Sequence, residues 1–187
     1  MRPPIEIRMH GRGGQGTVTL AALLVDAAFR SGWQALGFPA FGTERTGAPV
    51  AAFARLDREP ILDRGEVHHP AVVVVQDPTL TKSVDVLEGL TPDGIVLLNA
   101  TAVPDELRDV RRVLTVPATE LAREHLGDSR TSTAMLGFLA GATDLVEIEA
   151  VEAAIRDRFR GDVAERNVVL ARAAHDHGRR VRQEEAA

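Results

Sequence analysis

Met9-His10-Gly11-Arg12-Gly13-Gly14-Gln15-Gly16-Thr17 is the stretch on which this 187-residue chain turns. It lies between a short apolar segment, Ile5–His10, and an apolar run, Val18–Arg30. Four glycines in six residues open backbone angles closed to other residues, and they let a ligand come close to the main chain. A loop of this kind between a strand and a helix presents unpaired N–H groups at the positive end of the helix dipole, which favours phosphate. The expectation is a strand–loop–helix unit with an anion site at its bend. Arg12 adds a fixed charge and a forked donor suited to phosphate.

Working outward, Trp33–Phe38 reads as a second strand. It leads into a long Gly- and Pro-rich connection, Phe38–Pro49, that carries Glu44-Arg45. Connections of that length inside a domain usually have a function, and the apolar Phe38 and Phe41 favour docking of another chain. Val50–Leu56 follows as a strand, and Ile61-Leu62 as a short edge strand. The valine run Ala71–Gln76 has the composition of a strand covered on both faces. Asp77-Pro78 breaks it and opens a short helix through Val84–Leu87. Gly94–Asn99 and Arg112–Val116 complete the strands, and Pro117 starts a helix that ends near Gly127. In Thr131–Thr143, Gly137 and Gly141 allow a second helix to approach closely. Leu145, Ile148, Val151, Ile155 and Phe159 mark one face of another helix. A last helix runs from Gly161-Asp162 to about Ala174. The pattern predicts an α/β fold: an open, mostly parallel sheet with helices on both faces and a helical C-terminal part. Residues 1–175 read as a single domain, and 176–187 as a charged, frayed tail.

Composition removes several classes of function. The net charge of -5 without a basic stripe argues against nucleic acid. Zero cysteines exclude disulfides and any thiolate-held iron–sulfur cluster or zinc in this chain. The histidines make no metal site: His68 and His69 are adjacent, and His175 and His177 are two apart. His10, beside the glycine loop, is expected to serve in structural hydrogen bonding. No apolar run reaches the roughly 18 to 20 residues of a membrane span, and Met1–Pro4 has no secretory character, so the expected setting is the cytoplasm. Gly11 to Gly16 satisfies G-x-G-x-x-G, but no acidic residue stands between Asp26 and Glu44 to hold a nicotinamide ribose. No catalytic constellation is present. The residues alone leave open a stand-alone nucleotide-binding module and a scaffold whose loop binds nothing.

Ile5 to Gly16 resembles the opening of the gamma subunits of pyruvate and 2-ketoisovalerate ferredoxin oxidoreductases. The likeness continues through Phe38-Pro39-Ala40-Phe41-Gly42-Thr43-Glu44-Arg45-Thr46-Gly47-Ala48-Pro49-Val50. It resumes at Asp77-Pro78, Thr133-Ala134-Met135-Leu136-Gly137 and Ala164-Glu165-Arg166-Asn167. The resemblance implies one subunit of an enzyme that oxidatively decarboxylates a 2-oxo acid to an acyl-CoA and passes electrons to ferredoxin. It implies thiamine diphosphate and 4Fe-4S clusters on alpha, beta and delta partner chains, with coenzyme A binding and subunit assembly as the gamma contribution. By motif, Gly11, Arg12, Gly13, Gly14, Gln15 and Gly16 are the ligand-facing residues, and Glu44 and Arg45 belong to the second motif. Two departures stand out. Thr46 replaces a frequent second arginine, and Ser132 a frequent asparagine, which bears on the choice of 2-oxo acid. Indolepyruvate ferredoxin oxidoreductases use a similar module.

Overall fold

Four consecutive valines are buried together only in the interior of a covered sheet, and Val72–Val75 lies there with all four side chains inside. The computed structural model describes residues 3–40 and 46–187. Its first elements are β1 (Ile5–Arg12), α1 (Thr17–Arg30), β2 (Gln34–Pro39) and β3 (Pro49–Asp57). β4 (Val72–Val75), β5 (Ile95–Asn99) and β6 (Val113–Val116) follow, then α2 (Ala118–Leu126), α3 (Ser132–Thr143), α4 (Ile148–Arg158) and α5 (Gly161–Glu185). The strand order is β2-β3-β1-β4-β5-β6. β1, β4, β5 and β6 pair in parallel, while β3 is antiparallel to both its neighbours, so β3 alone runs against the rest. The open, mostly parallel α/β sheet is as the sequence predicts.

The helices do not lie on both faces. Side chains of all five pack into one core with Ile7, Met9, Leu56, Val74 and Leu97. α3 is buried along nearly its whole length. A methyl group on Gly137 would stand 2.0 Å from the Ala171 carbonyl oxygen, and one on Gly141 2.1 Å from that of His175. The two glycines therefore let α3 lie directly against the backbone of α5, the close approach their spacing predicts.

The opposite face is covered by irregular chain. Leu80, from a 3-10 turn at Pro78–Lys82, packs with Val86 and Leu107 on Val73, Val75, Val96 and Leu98. The connections that cross this face contain Pro78, Gly89, Pro92, Gly94 and Pro104, which interrupt a helix at short intervals. The helix expected through Val84–Leu87 is replaced by that earlier turn, capped by Asp77 Oδ1, which accepts from the Thr79 amide at 3.0 Å. Ile61-Leu62 forms no strand, because β2 already pairs with the outer side of β3. Over β1 and β3, two arginines from the sheet hold the loops. Arg55 donates to Glu6 Oε1 at 2.8 Å and to the Gly65 and Glu66 carbonyls at 2.6 and 3.1 Å, with its guanidinium above the Phe38 ring. Arg8 donates to the carbonyls of Val67, Val86 and Glu88.

The expected tail is also different: α5 continues to Glu185. Ala174 and Gly178 are buried, Val181 packs on the core, and Arg112 grips Glu185 with two hydrogen bonds of 3.0 and 2.8 Å. The charged composition of 176–187 concealed this continuing apolar face.

Candidate functional site

β1 pairs with β3 as far as Arg12, opposite Pro49, so the glycine loop begins within the sheet. The Gly13 amide donates to the Ala48 carbonyl at 2.9 Å, and the Gly47 amide returns to the Gly13 carbonyl at 3.1 Å. The loop is thus stitched to the end of the long connection that the sequence singles out. Its bend is closed by Gln15, whose amide donates to the Arg12 carbonyl at 2.9 Å and whose Oε1 accepts from the Arg12 amide at 2.7 Å. Gly14 and Gly16 take φ values of +94° and +82°, a region costly to side-chain-bearing residues.

Gly16 is the N-cap of α1 and carries no side chain to satisfy the helix's first donors. Among the described residues, no partner is found for the N–H groups of Gly14, Gly16, Thr17, Val18 and Thr19. A cleft of about 220 Å³ lies against them, lined by Arg12, Gly13, Gly14, Gly16, Thr17, Val18, Thr19 and Val50. The strand–loop–helix bend predicted from the spacing of glycines is present, with Gly16 as the helix N-cap.

Arg12 lines the cleft, but its fork is already engaged. Nε donates to Asp77 Oδ2 at 3.0 Å, Nη1 to the Gly47 carbonyl at 3.1 Å and Nη2 to Thr79 Oγ1 at 2.8 Å. Gln15 Nε2 also donates to Asp77 Oδ2, at 3.1 Å. Burial alone would raise the Asp77 carboxyl. Hydrogen bonds from the Thr79 hydroxyl and amide and from Gln15, with the charge of Arg12, outweigh it and hold the group below its ordinary value. Asp77 remains a carboxylate and balances Arg12, so attraction for an anion rests on the backbone amides and the helix dipole.

Beneath the loop, Gln76 is almost wholly enclosed. Its Nε2 donates to the Gln15 carbonyl and to Thr131 Oγ1, both at 3.3 Å. Its backbone carbonyl accepts from Asn99 Nδ2 at 2.8 Å, and Asn99 Oδ1 accepts from the Thr119 amide at the start of α2. Among the described residues, no hydrogen-bond partner is found for the buried Gln76 Oε1 or the Thr17 hydroxyl. Each unmet group costs about 1–3 kcal/mol. Both face the bare Cα of Gly11, where a methyl group would meet Thr17 Oγ1 at 2.1 Å and Gln76 Oε1 at 3.0 Å.

His10 leaves this cluster for the loop-covered face. Its Nε2 accepts from Arg8 Nε at 3.1 Å, which puts the ring proton on Nδ1. Burial, reinforced by the Arg8 charge, pushes its pKa down to about 4, so the ring is neutral near pH 7. Phe38, read as a docking residue, stacks at 5.4 Å on Phe53. Glu44, Arg45 and Phe41 lie outside the described residues. Sequence reasoning did not single out Gln76, Asn99 and Thr79. The available signal was their place at or shortly after the ends of β4 and β5, since parallel sheets gather functional polar groups at their C-terminal edge.

Residues 6–177 match the family described as pyruvate ferredoxin/flavodoxin oxidoreductase. The chain belongs to this family. A relative from Pyrococcus abyssi, the "Pyruvate/ketoisovalerate oxidoreductases common subunit gamma", is 49% identical over 177 residues, covering 92% of this chain and 96% of its own. "Pyruvate synthase subunit PorC" of Methanocaldococcus jannaschii is 47% identical over 172 residues, with the same coverage. The crystal structure of pyruvate oxidoreductase subunit PORC from Thermotoga maritima superimposes with a TM-score of 0.82 at 34% identity, covering 94% of this chain and 97% of that one. The gamma-type resemblance read from the sequence therefore holds: the chain is a subunit of a multi-subunit oxidoreductase. Among the described residues, no helix is long and apolar enough to cross a membrane, and no three His, Asp or Glu side chains are placed to hold a metal ion.

Proposed function

We propose that this chain is the gamma subunit of a 2-oxoacid:ferredoxin oxidoreductase, working in the cytoplasm on pyruvate or 2-ketoisovalerate, and that it supplies coenzyme A binding and subunit assembly. The observation that carries the reading is the set of amides of Gly14 and Gly16–Thr19, without partners among the described residues, against an open cleft. A phosphate of coenzyme A suits those amides: several N–H donors and a helix dipole act on one anion, and the nearby carboxylate of Asp77 is held by Arg12 and Gln15. When bound, coenzyme A brings the thiol that takes up the acyl group. The residues of this chain hold and orient the phosphate end, and Asp77 keeps Arg12 and Gln15 in place at its side. With no cysteine, the chain leaves 4Fe-4S clusters, and with them thiamine diphosphate and electron transfer to ferredoxin, to alpha, beta and delta type partners. The second motif, with Glu44 and Arg45, is assigned by its likeness to the family as a further contact for ligand or partner.

Gly14→Val in the assembled enzyme tests the ligand site. A side chain at Gly14 meets none of the described residues within 4 Å, and Gly14 lines the cleft where the ligand would sit. The KM for coenzyme A is expected to rise about tenfold or more, with the KM for the 2-oxo acid unmoved. The variant's thermal midpoint is measured alongside as a folding control, because φ is positive there. An unchanged KM for coenzyme A favours the scaffold reading. Tight calorimetric binding of NAD(P)H or FAD, with none of coenzyme A, favours a separate nucleotide module.

A further inference from the structure

We infer that Gln76 is a positioning residue that holds the Gln15–Gly16 peptide in the orientation needed to bind an anion; the inference rests on the coenzyme A reading above. A trans peptide is planar, and its C=O and N–H point in opposite directions. The Gln15 carbonyl turns inward to Gln76 Nε2 at 3.3 Å. The amide of the same peptide, Gly16 N–H, therefore faces outward, and Gly16 lines the cleft. Gly16 has a φ of +82°, and Gly14 has one of +94°. Because glycine populates both signs of φ with little penalty, the peptide before Gly16 has low intrinsic resistance to turning over. A turned peptide would present the Gln15 carbonyl, an acceptor, where the site needs a donor.

Gln76 is itself anchored on several sides. Its amide donates to the His10 carbonyl at 2.8 Å and its carbonyl accepts from Asn99. Its Nε2 reaches Thr131, whose carbonyl receives the Met135 amide in the first turn of α3. The glycine turn and the start of α3 are thus referred to one side chain rising from the end of β4. A side chain present only for packing would not need an amide here. Gln76 Oε1 is buried and finds no partner among the described residues, and an apolar side chain of similar length would fill the space with no such penalty. What Gln76 supplies, and an apolar isostere cannot, is the donor to the Gln15 carbonyl.

The test uses the assembled enzyme with Gln76→Met and Gln76→Glu, beside Gly14→Val, and reads steady-state kinetics with coenzyme A. Met removes the donor and the unpaired acceptor together. Glu sets a carboxylate oxygen against the Gln15 carbonyl and drives it away. The KM for coenzyme A is expected to rise about tenfold for Met and further for Glu, with kcat at saturating coenzyme A within about twofold. The thermal midpoint of the Met variant should stay close to that of the parent, since losing the unmet Oε1 offsets losing the donor to Gln15 and Thr131. A crystal structure of the Met complex should show the Gln15 carbonyl turned toward the cleft. If Gly14→Val raises this KM and both Gln76 variants leave it unchanged, the positioning role is overturned and the coenzyme A site stands. If all three leave it unchanged, the coenzyme A reading itself fails. A lower kcat at constant KM, or loss of assembly in both Gln76 variants, assigns Gln76 to structure alone and overturns the inference.

Discussion

On one face of the sheet, Gly137 and Gly141 set α3 against the backbone of α5; on the other, Arg8 and Arg55 reach from β1 and β3 to hold loop carbonyls. Both faces are enclosed, by different means. Helices satisfy their own backbone groups, so side chains on that face need only fit and exclude water. Irregular chain cannot satisfy itself, and its inward carbonyls need donors from elsewhere. A guanidinium offers five N–H groups and serves several carbonyls at once. The glycine cleft lies at the C-terminal end of β1, beside the N-terminus of a helix from the first face. Arg12 in its lining is held by Asp77 and Thr79, which begin the loops of the second. A rigid helix end thus meets a polar loop system, which suits a site that must present amides in fixed directions.

The largest effect should come from the helical face. Gly137→Ala sets a methyl group 2.0 Å from a backbone oxygen of Ala171, which cannot rotate away. α3 and α5 must separate, and the cost should exceed about 3 kcal/mol. Calorimetry should show a thermal midpoint lower by about 6 °C or more. A shift under about 2 °C would mean that the helices are looser than their glycine contacts imply.

The loop face should answer to pH. His10 has a folded pKa of about 4, below the ordinary value of 6.5. Between those values the unfolded chain binds a proton that the folded chain refuses, so stability is fully present above about pH 6.5 and is lost as pH falls toward 4. The full span is worth about 3 kcal/mol. His10→Gln retains an acceptor for Arg8 and removes the titration. Denaturant melts at a series of pH values should fall through this window for the parent and stay nearly level for the variant. Parallel curves would show that His10 is not shielded as its contacts indicate.

The difference between the faces also explains what could be read in advance. Periodicity in Leu145 to Phe159, the valine run and the Gly137–Gly141 spacing revealed a buried strand and closely packed helices, because apolar and small residues there repeat at fixed intervals, but not that all five helices share one face. The bend between β1 and α1 was legible because positive φ, taken here by Gly14 and Gly16, is open to glycine. The covering of the second face was not legible, since Arg8 and Arg55 look like ordinary surface charges until the loops they hold are in place. The same reason hid the pairing of Arg12 with Asp77, which are 65 residues apart. Gln76 escaped notice because its role depends on the direction of one carbonyl across the loop.

Arg55→Met should have the smallest effect and the most local one. Arg55 holds the Gly65 and Glu66 carbonyls, pairs with Glu6 and Asp63 and covers the ring of Phe38. Methionine keeps much of its volume but leaves those carbonyls without donors, a cost of about 2 kcal/mol. That cost need not unfold the sheet. Glu6 is partly exposed and can turn to water, and the loop can lift while β1 and β3 remain paired along eight register positions. Opening confined to this loop should expose the Arg64–Gly65 bond and speed trypsin cleavage there about thirtyfold, the factor that 2 kcal/mol corresponds to. The thermal midpoint should move less than in Gly137→Ala. A midpoint lowered as far as in Gly137→Ala, without faster cleavage at Arg64, would mean that the loops melt together with the sheet. The two faces would then share one cooperative unit, and the arginines would be part of the core rather than fasteners laid over it.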